Sequence, residues 1–162
     1  MLYYLSLGAN LGEREQTLRR AVQMIEQQIG QVLRCSSLFY SQPWGFDSPN
    51  DFCNLCCSVE THMSPIDMLH STQSIERALG RTKKSSLNPQ PSTLNPQPLY
   101  SDRPIDIDII RAFDDHGEEI FINNQSPITN HQSQITNDQL TIPHPLWQER
   151  DFVKVPLAEI MP

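Results

Sequence analysis

Glycine is scarce in this chain, with six residues in 162, and none lies in the G-x-x-x-x-G-K order whose backbone N–H groups cradle nucleotide phosphates. A polyanionic substrate therefore has to be met by side chains or metal ions. Basic residues are also short: 12 Lys and Arg stand against 19 Asp and Glu, a net charge of −7. That balance argues against broad non-specific nucleic-acid binding, which needs a basic face, yet it leaves room for an anionic nucleotide held by a local basic cluster. No apolar run reaches the length of a membrane span, and the Met1–Gly8 start lacks the charged opening and long apolar stretch of a signal peptide. No membrane partner is expected, and the expected location is cytoplasmic. The four cysteines include Cys53-x-x-Cys56, but no second pair follows at ligand spacing. Alternation along 52–60 sends those two thiols to opposite faces, which favours free thiols in a reducing compartment over a metal clip.

The remaining composition, 38% hydrophobic and 19% charged, suits one globular domain over 1–162. Thirteen prolines point to loop-rich sequence, and two tandem repeats account for part of it. Ser85–Pro91 recurs as Ser92–Pro98 with one change, and Gln125–Asn130 recurs as Gln132–Asn137. Two polar units are too few for a solenoid, so the regions near 85–98 and 123–138 read as low-complexity loop insertions.

Hydrophobic periodicity predicts strands at 2–7, 31–40, 51–61, 105–113 and 118–122. One helix follows the Gly8-Ala9-Asn10-Leu11-Gly12 turn, with Leu18, Ala21, Val22, Ile25 and Ile29 on one face, and Gly30 sits where it should stop. A second starts at Ser64-Pro65, an N-cap followed by proline at the first helical position. In the third strand Cys53, Leu55, Cys57 and Val59 form the core side, leaving Phe52 and Asn54 together on another surface. A ring and an amide side by side can stack on and hydrogen-bond a flat heterocycle, although a partly covered strand end is the commoner meaning.

In Ile105-Asp106-Ile107-Asp108-Ile109 the isoleucines take one face and the aspartates the other. The carboxylates project together, roughly 7 Å apart at their Cα atoms. A divalent cation would relieve their repulsion, and Mg²⁺ in particular takes one or two carboxylates plus waters and phosphates. An acidic, solvated edge strand explains the pair equally well. Near the end, Pro143 and Pro145 fix the backbone around His144, and a short helix could carry Arg150 back toward it.

The order of these motifs resembles the 6-hydroxymethyl-7,8-dihydropterin pyrophosphokinases of folate biosynthesis. Six segments carry the resemblance: Ser6–Gly12, Pro43-Trp44-Gly45, Phe52-Cys53-Asn54, Ile75–Arg81, Arg103–Asp108, and Ile142–Pro145 with Arg150–Val153. It implies a ferredoxin-like α+β sandwich with a mainly antiparallel sheet and long catalytic loops, matching the strand-helix-strand-strand-helix-strand order. It also implies transfer of the β,γ-diphosphate of ATP onto the pterin hydroxymethyl group, giving AMP, with small-molecule partners only and a monomeric protein. Asp106 and Asp108 would hold two Mg²⁺ ions. Phe52 and Phe152 would sandwich the pterin, with Asn54 at its edge and Pro43 and Trp44 in the adjoining loop. Arg81 and Arg103 would be the catalytic arginines, and Gln73, Glu76, Ile109, Thr141, His144 and Arg150 would line the ATP site. Phosphoryl-type transfer relies on positioning and charge, so no Ser or Cys nucleophile is required. Pro104 departs from the family's usual threonine, and the loop at 40–45 is one residue shorter than common forms.

Overall fold

The computed structural model of the protein describes residues 1–45, 48–80, 104–124, 128–129, 135–136 and 139–162. Arg81, Tyr100, Arg103 and the first repeat lie outside the described residues. The main sheet is built from β1 (Leu2–Ala9), β2 (Gln31–Cys35), β3 (Phe39–Ser41), β4 (Phe52–Glu60) and β5 (Asp106–Phe113). Its order is β2-β4-β1-β5 with β3 also on β4, and every pairing is antiparallel. Helix α1 (Arg14–Gln28) follows β1 and helix α2 (Pro65–Ala78) follows β4. This is the expected ferredoxin-like α+β arrangement, with β1 at the centre.

Leu18, Ala21 and Ile25 recur at helical spacing in α1 and are buried against the odd-numbered face of the sheet. In α2 the Ser64 hydroxyl accepts a hydrogen bond from the Asp67 N–H at 3.3 Å, and Pro65 occupies the first turn, where no N–H is needed. The two glycines beyond these helices act differently. Gly80 ends α2 with φ of 103°, a left-handed stop. Gly30 is there because the chain crosses β4, and a Cβ would come within 2.2 Å of the Glu60 carbonyl oxygen.

Three expectations are corrected. The predicted strand 31–40 is two strands, because the register on β4 shifts by one residue between Cys35 opposite Cys57 and Phe39 opposite Asn54. At the break the Ser36 hydroxyl, in place of a main-chain carbonyl, accepts from the Cys56 N–H at 2.9 Å. Second, β4 is not half covered: Phe52, Asn54, Cys56 and Ser58 are buried along with the odd set. The cause is α3 (Asp151–Ile160), whose Val153, Leu157 and Ile160 pack on Tyr4, Cys56 and Ile110. The molecule therefore has three layers, with α1 and α2 on one face and α3 on the other. Third, the last predicted strand lies later, as β6 (Ile122–Asn124). Residues 119–120 instead run beside β5, joined by the Arg111–Glu119 ion pair at 2.6 Å and the Ile120 N–H donating to the Ala112 carbonyl.

Of the second repeat, β7 (Ile128–Thr129) and β8 (Ile135–Thr136) are described, and they pair antiparallel, Ile128 opposite Thr136 and Thr129 opposite Ile135. The duplicated Ile-Thr units thus pair with each other. Strand β9 (Leu140–Ile142) returns to β6 and leads through a cis Ile142–Pro143 bond toward His144.

Candidate active site

At one end of the sheet β1 sets two strands on either side of Gly8. Gly8 is paired with Asn54 on β4 and with Asp106 on β5, and one step along Ser6 is paired with Cys56 and Asp108. Asp106 and Asp108 are half-buried while Ile105, Ile107 and Ile109 fill the core between them. The period-two reading of this strand holds up to Ile110, where a bulge opposite Tyr4 and Leu5 changes the alternation. Beyond it Arg111 and Phe113 turn to the α3 side, the guanidinium 5.0 Å from the Phe113 ring and 5.8 Å from the Trp147 ring.

Asn54 is 2% exposed. Its Nδ2 donates to the Phe39 carbonyl at 3.0 Å and the Ser41 hydroxyl at 2.8 Å, which fixes the amide plane. A Cβ on residue 8 would meet Asn54 Oδ1 at 2.9 Å and the Phe52 ring at 3.6 Å. Glycine therefore leaves the Asn54 amide and the Phe52 ring unobstructed on that side. This residue went unread in the sequence as a site residue, although it stands inside the Ser6–Gly12 motif.

The aromatic residues meet a cation. Arg150, immediately before α3 and only 6% exposed, holds its guanidinium 4.4 Å from the Trp44 ring centroid and 5.7 Å from that of Phe152. Pro43 and Trp44 are half-buried in the preceding loop, and Phe52 is buried at the start of β4. His144 is anchored through its N–H to the Ile110 carbonyl at 2.9 Å, and its Nδ1 accepts from the Leu146 N–H at 3.2 Å. In the neutral ring the proton accordingly sits on Nε2.

The remaining expected site residues lie on β9, β5 and α2. Thr141 is half-buried on β9 between the buried Leu140 and Ile142. Ile109 packs in the main core, on the face opposite the aspartates, so its side chain belongs to that core. Gln73 is half-buried and Glu76 is buried, both in the C-terminal half of α2. Burial pushes the Cys56 thiol up to about 12, against a hydrogen bond to Ser6 that opposes the change, so the cysteine beside Ser6 stays protonated.

The donor set suits one kind of metal. Among the described residues no group of three or more His, Cys, Asp or Glu gathers, so a full protein cage is not built there. Two same-face carboxylates opposite Ser6 and Gly8 fit a cation that keeps waters and takes substrate phosphates, which is the preference of Mg²⁺. No described helix is long and apolar enough to cross a membrane.

The fold and this acidic and aromatic cluster together define a ferredoxin-like α+β protein with a site at one end of its sheet. A family model described as 7,8-dihydro-6-hydroxymethylpterin-pyrophosphokinase (HPPK) matches residues 4–162. A 2-amino-4-hydroxy-6-hydroxymethyldihydropteridine pyrophosphokinase of Porphyromonas gingivalis is 38% identical over 161 residues, covering 99% of this chain and 91% of that protein. The Bacillus subtilis protein of the same name is 32% identical, covering 97% of this chain and 76% of its own length. A solved HPPK-DHPS structure in complex with substrates superposes with a TM-score of 0.64 at 16% identity, over 98% of this chain. This chain spans only 40% of that one, so the likeness concerns the fold of that portion. The chain belongs to the 7,8-dihydro-6-hydroxymethylpterin-pyrophosphokinase family, as its ordered motifs implied.

Proposed function

We propose that this chain carries out its family's reaction in folate biosynthesis, moving the β,γ-diphosphate of ATP onto the hydroxymethyl group of 6-hydroxymethyl-7,8-dihydropterin, with Asp106 and Asp108 as ligands of two Mg²⁺ ions. The observation that carries the residue assignment is the juxtaposition across β1: a same-face carboxylate pair on one side of Gly8, a fixed amide and a phenyl ring on the other. Bound Mg²⁺ would offset phosphate charge and lower the pKa of the attacking hydroxyl.

The chain's own groups do the rest. Asn54 is locked by Phe39 and Ser41 and so presents one amide orientation to the ring edge. Phe52 and Phe152 supply stacking surfaces, with Pro43 and Trp44 closing the loop side. Arg150 and His144 Nε2–H would contact the nucleotide phosphates, and Arg81 and Arg103 would serve as the catalytic arginines; arginine gives bidentate contacts that offset charge as it moves to the AMP leaving group. Gln73, Glu76, Thr141 and the backbone at Ile109 line the nucleotide side. Residues 1–162 act as a single domain, a monomer in the cytoplasm, with small-molecule partners and no nucleic acid or membrane.

The test is AMP release from ATP and Mg²⁺ with and without the pterin. Pterin-dependent AMP is expected, falling by about a hundredfold or more in Asp108→Ala, as loss of charge stabilisation at the reacting phosphates costs. Binding without AMP would make the chain a ligand-binding module, and ADP as the product would overturn the diphosphate transfer.

A further inference from the structure

Strand β2 is the edge of the sheet, and Cys35 at its end is exposed while its cross-strand neighbour Cys57 is fully buried. The two are directly opposed in the antiparallel register. At the next pair along, the Ser36 N–H donates to the Cys56 carbonyl at 2.8 Å, while the Cys56 N–H donates to the Ser36 hydroxyl at 2.9 Å. Cys35 and Cys57 therefore occupy a non-hydrogen-bonded position, where Cα atoms approach to about 4.5 Å and side chains are closest. That separation is inside the range a disulfide spans. Cys53 and Cys56 are not so placed: one lies in the core under α1 and α2, the other under α3.

We propose that Cys35 and Cys57 form a reversible redox site, in which an exposed thiol on the edge strand reacts with peroxide and a buried thiol across the ladder captures the product. The Cys35 thiolate attacks a peroxide oxygen; the S–O bond forms, the O–O bond breaks, and the departing hydroxide takes a proton to become water. The Cys57 sulfur then attacks the Cys35 sulfur of the sulfenic acid. The S–S bond forms, the S–O bond breaks, and the hydroxide leaves as water with the Cys57 proton. Two thiols and one hydrogen peroxide thus give one disulfide and two waters, and an external dithiol reverses the link. The division of labour fits the surroundings. A hydrogen bond from the Cys57 thiol lowers Cys35 to about 7, opposed by burial and by the Glu26 carboxylate, while Cys57 is held well above its ordinary range by that same bond and by burial. The link would tie β2 to β4 just before the break into β3, whose Phe39 and Ser41 hold Asn54.

The reduced full-length protein is treated with stoichiometric hydrogen peroxide at neutral pH, free thiols are alkylated, and a non-reducing digest is read by mass spectrometry. A Cys35–Cys57 cross-linked peptide is expected, with an intact mass lower by two hydrogens and restored by dithiothreitol. In Cys35→Ser, an exposed substitution outside the proposed active site, the cross-link disappears and thiol loss slows by about tenfold or more. Accumulation of Cys35 as sulfinic acid without a link, a disulfide between two chains, a link through Cys53 or Cys56, or no thiol consumption would each overturn the proposal.

Discussion

Gly8 sits where any larger residue would press on Asn54. With Asn54 Oδ1 only 2.9 Å from a Cβ and the amide held by two hydrogen bonds, Gly8→Ala should displace the very group assigned to the ring edge. Thermal or urea unfolding is expected to show a loss of about 1–3 kcal/mol, typical of overpacking, and titration calorimetry should show weaker pterin binding with ATP binding largely kept. Equal loss of both ligands would argue that Gly8 matters to the fold alone. Arg150, by contrast, is positioned by packing between distant segments. Its position in the sequence suggested a group returning toward His144, but only the structure puts its guanidinium against Trp44 and Phe152, residues from a loop and a helix far apart in the chain.

Helix α3 is the element whose consequence the sequence concealed. Its apolar side, Val153, Leu157 and Ile160, is ordinary amphipathic patterning; what it covers is the even-numbered face of β4 and β1. Leu157→Ala should cost about 2–5 kcal/mol in chemical denaturation, as for a fully buried leucine. It should also raise KM for the pterin, because Arg150 and Phe152 are carried by the same helix start. Beside β5, Arg111 holds the Glu119 carboxyl below its ordinary range. A carboxyl with a depressed folded-state pKa contributes stability fully above the unfolded value, and the contribution fades as pH falls through the lowered one. The wild type should therefore unfold at a higher temperature than Glu119→Gln at about pH 6, with the difference vanishing toward about pH 3, as calorimetry at several pH values would show.

At the level of the full chain, the tandem repeats are the feature to which the sequence assigns no chemistry. The Ser85–Pro91 and Ser92–Pro98 units contain no Asp, Glu, Lys, Arg or His, so nothing in them can hold metal or phosphate by charge. Deleting residues 92–98 should leave AMP release within about threefold of the full chain, since loop length changes closure entropy only slowly. A loss as large as that from Asp108→Ala would show that the repeat length itself sets the geometry of the neighbouring arginines. The fold outside the repeats was legible at the level of strand and helix order, because periods of 2.0 and 3.6 are written locally.

That Asp106 and Asp108 share a face, that Ser64-Pro65 opens a helix and that Cys53 and Cys56 part company was readable from residue order, since each follows from the spacing of neighbours along one element. Packing in three dimensions was needed to set β1 between β4 and β5 with Gly8 as the gap, to close the second face of the sheet with α3, and to bring Cys35 opposite Cys57. Those adjacencies join residues tens of positions apart, and they depend on register and layer packing, which no local period records.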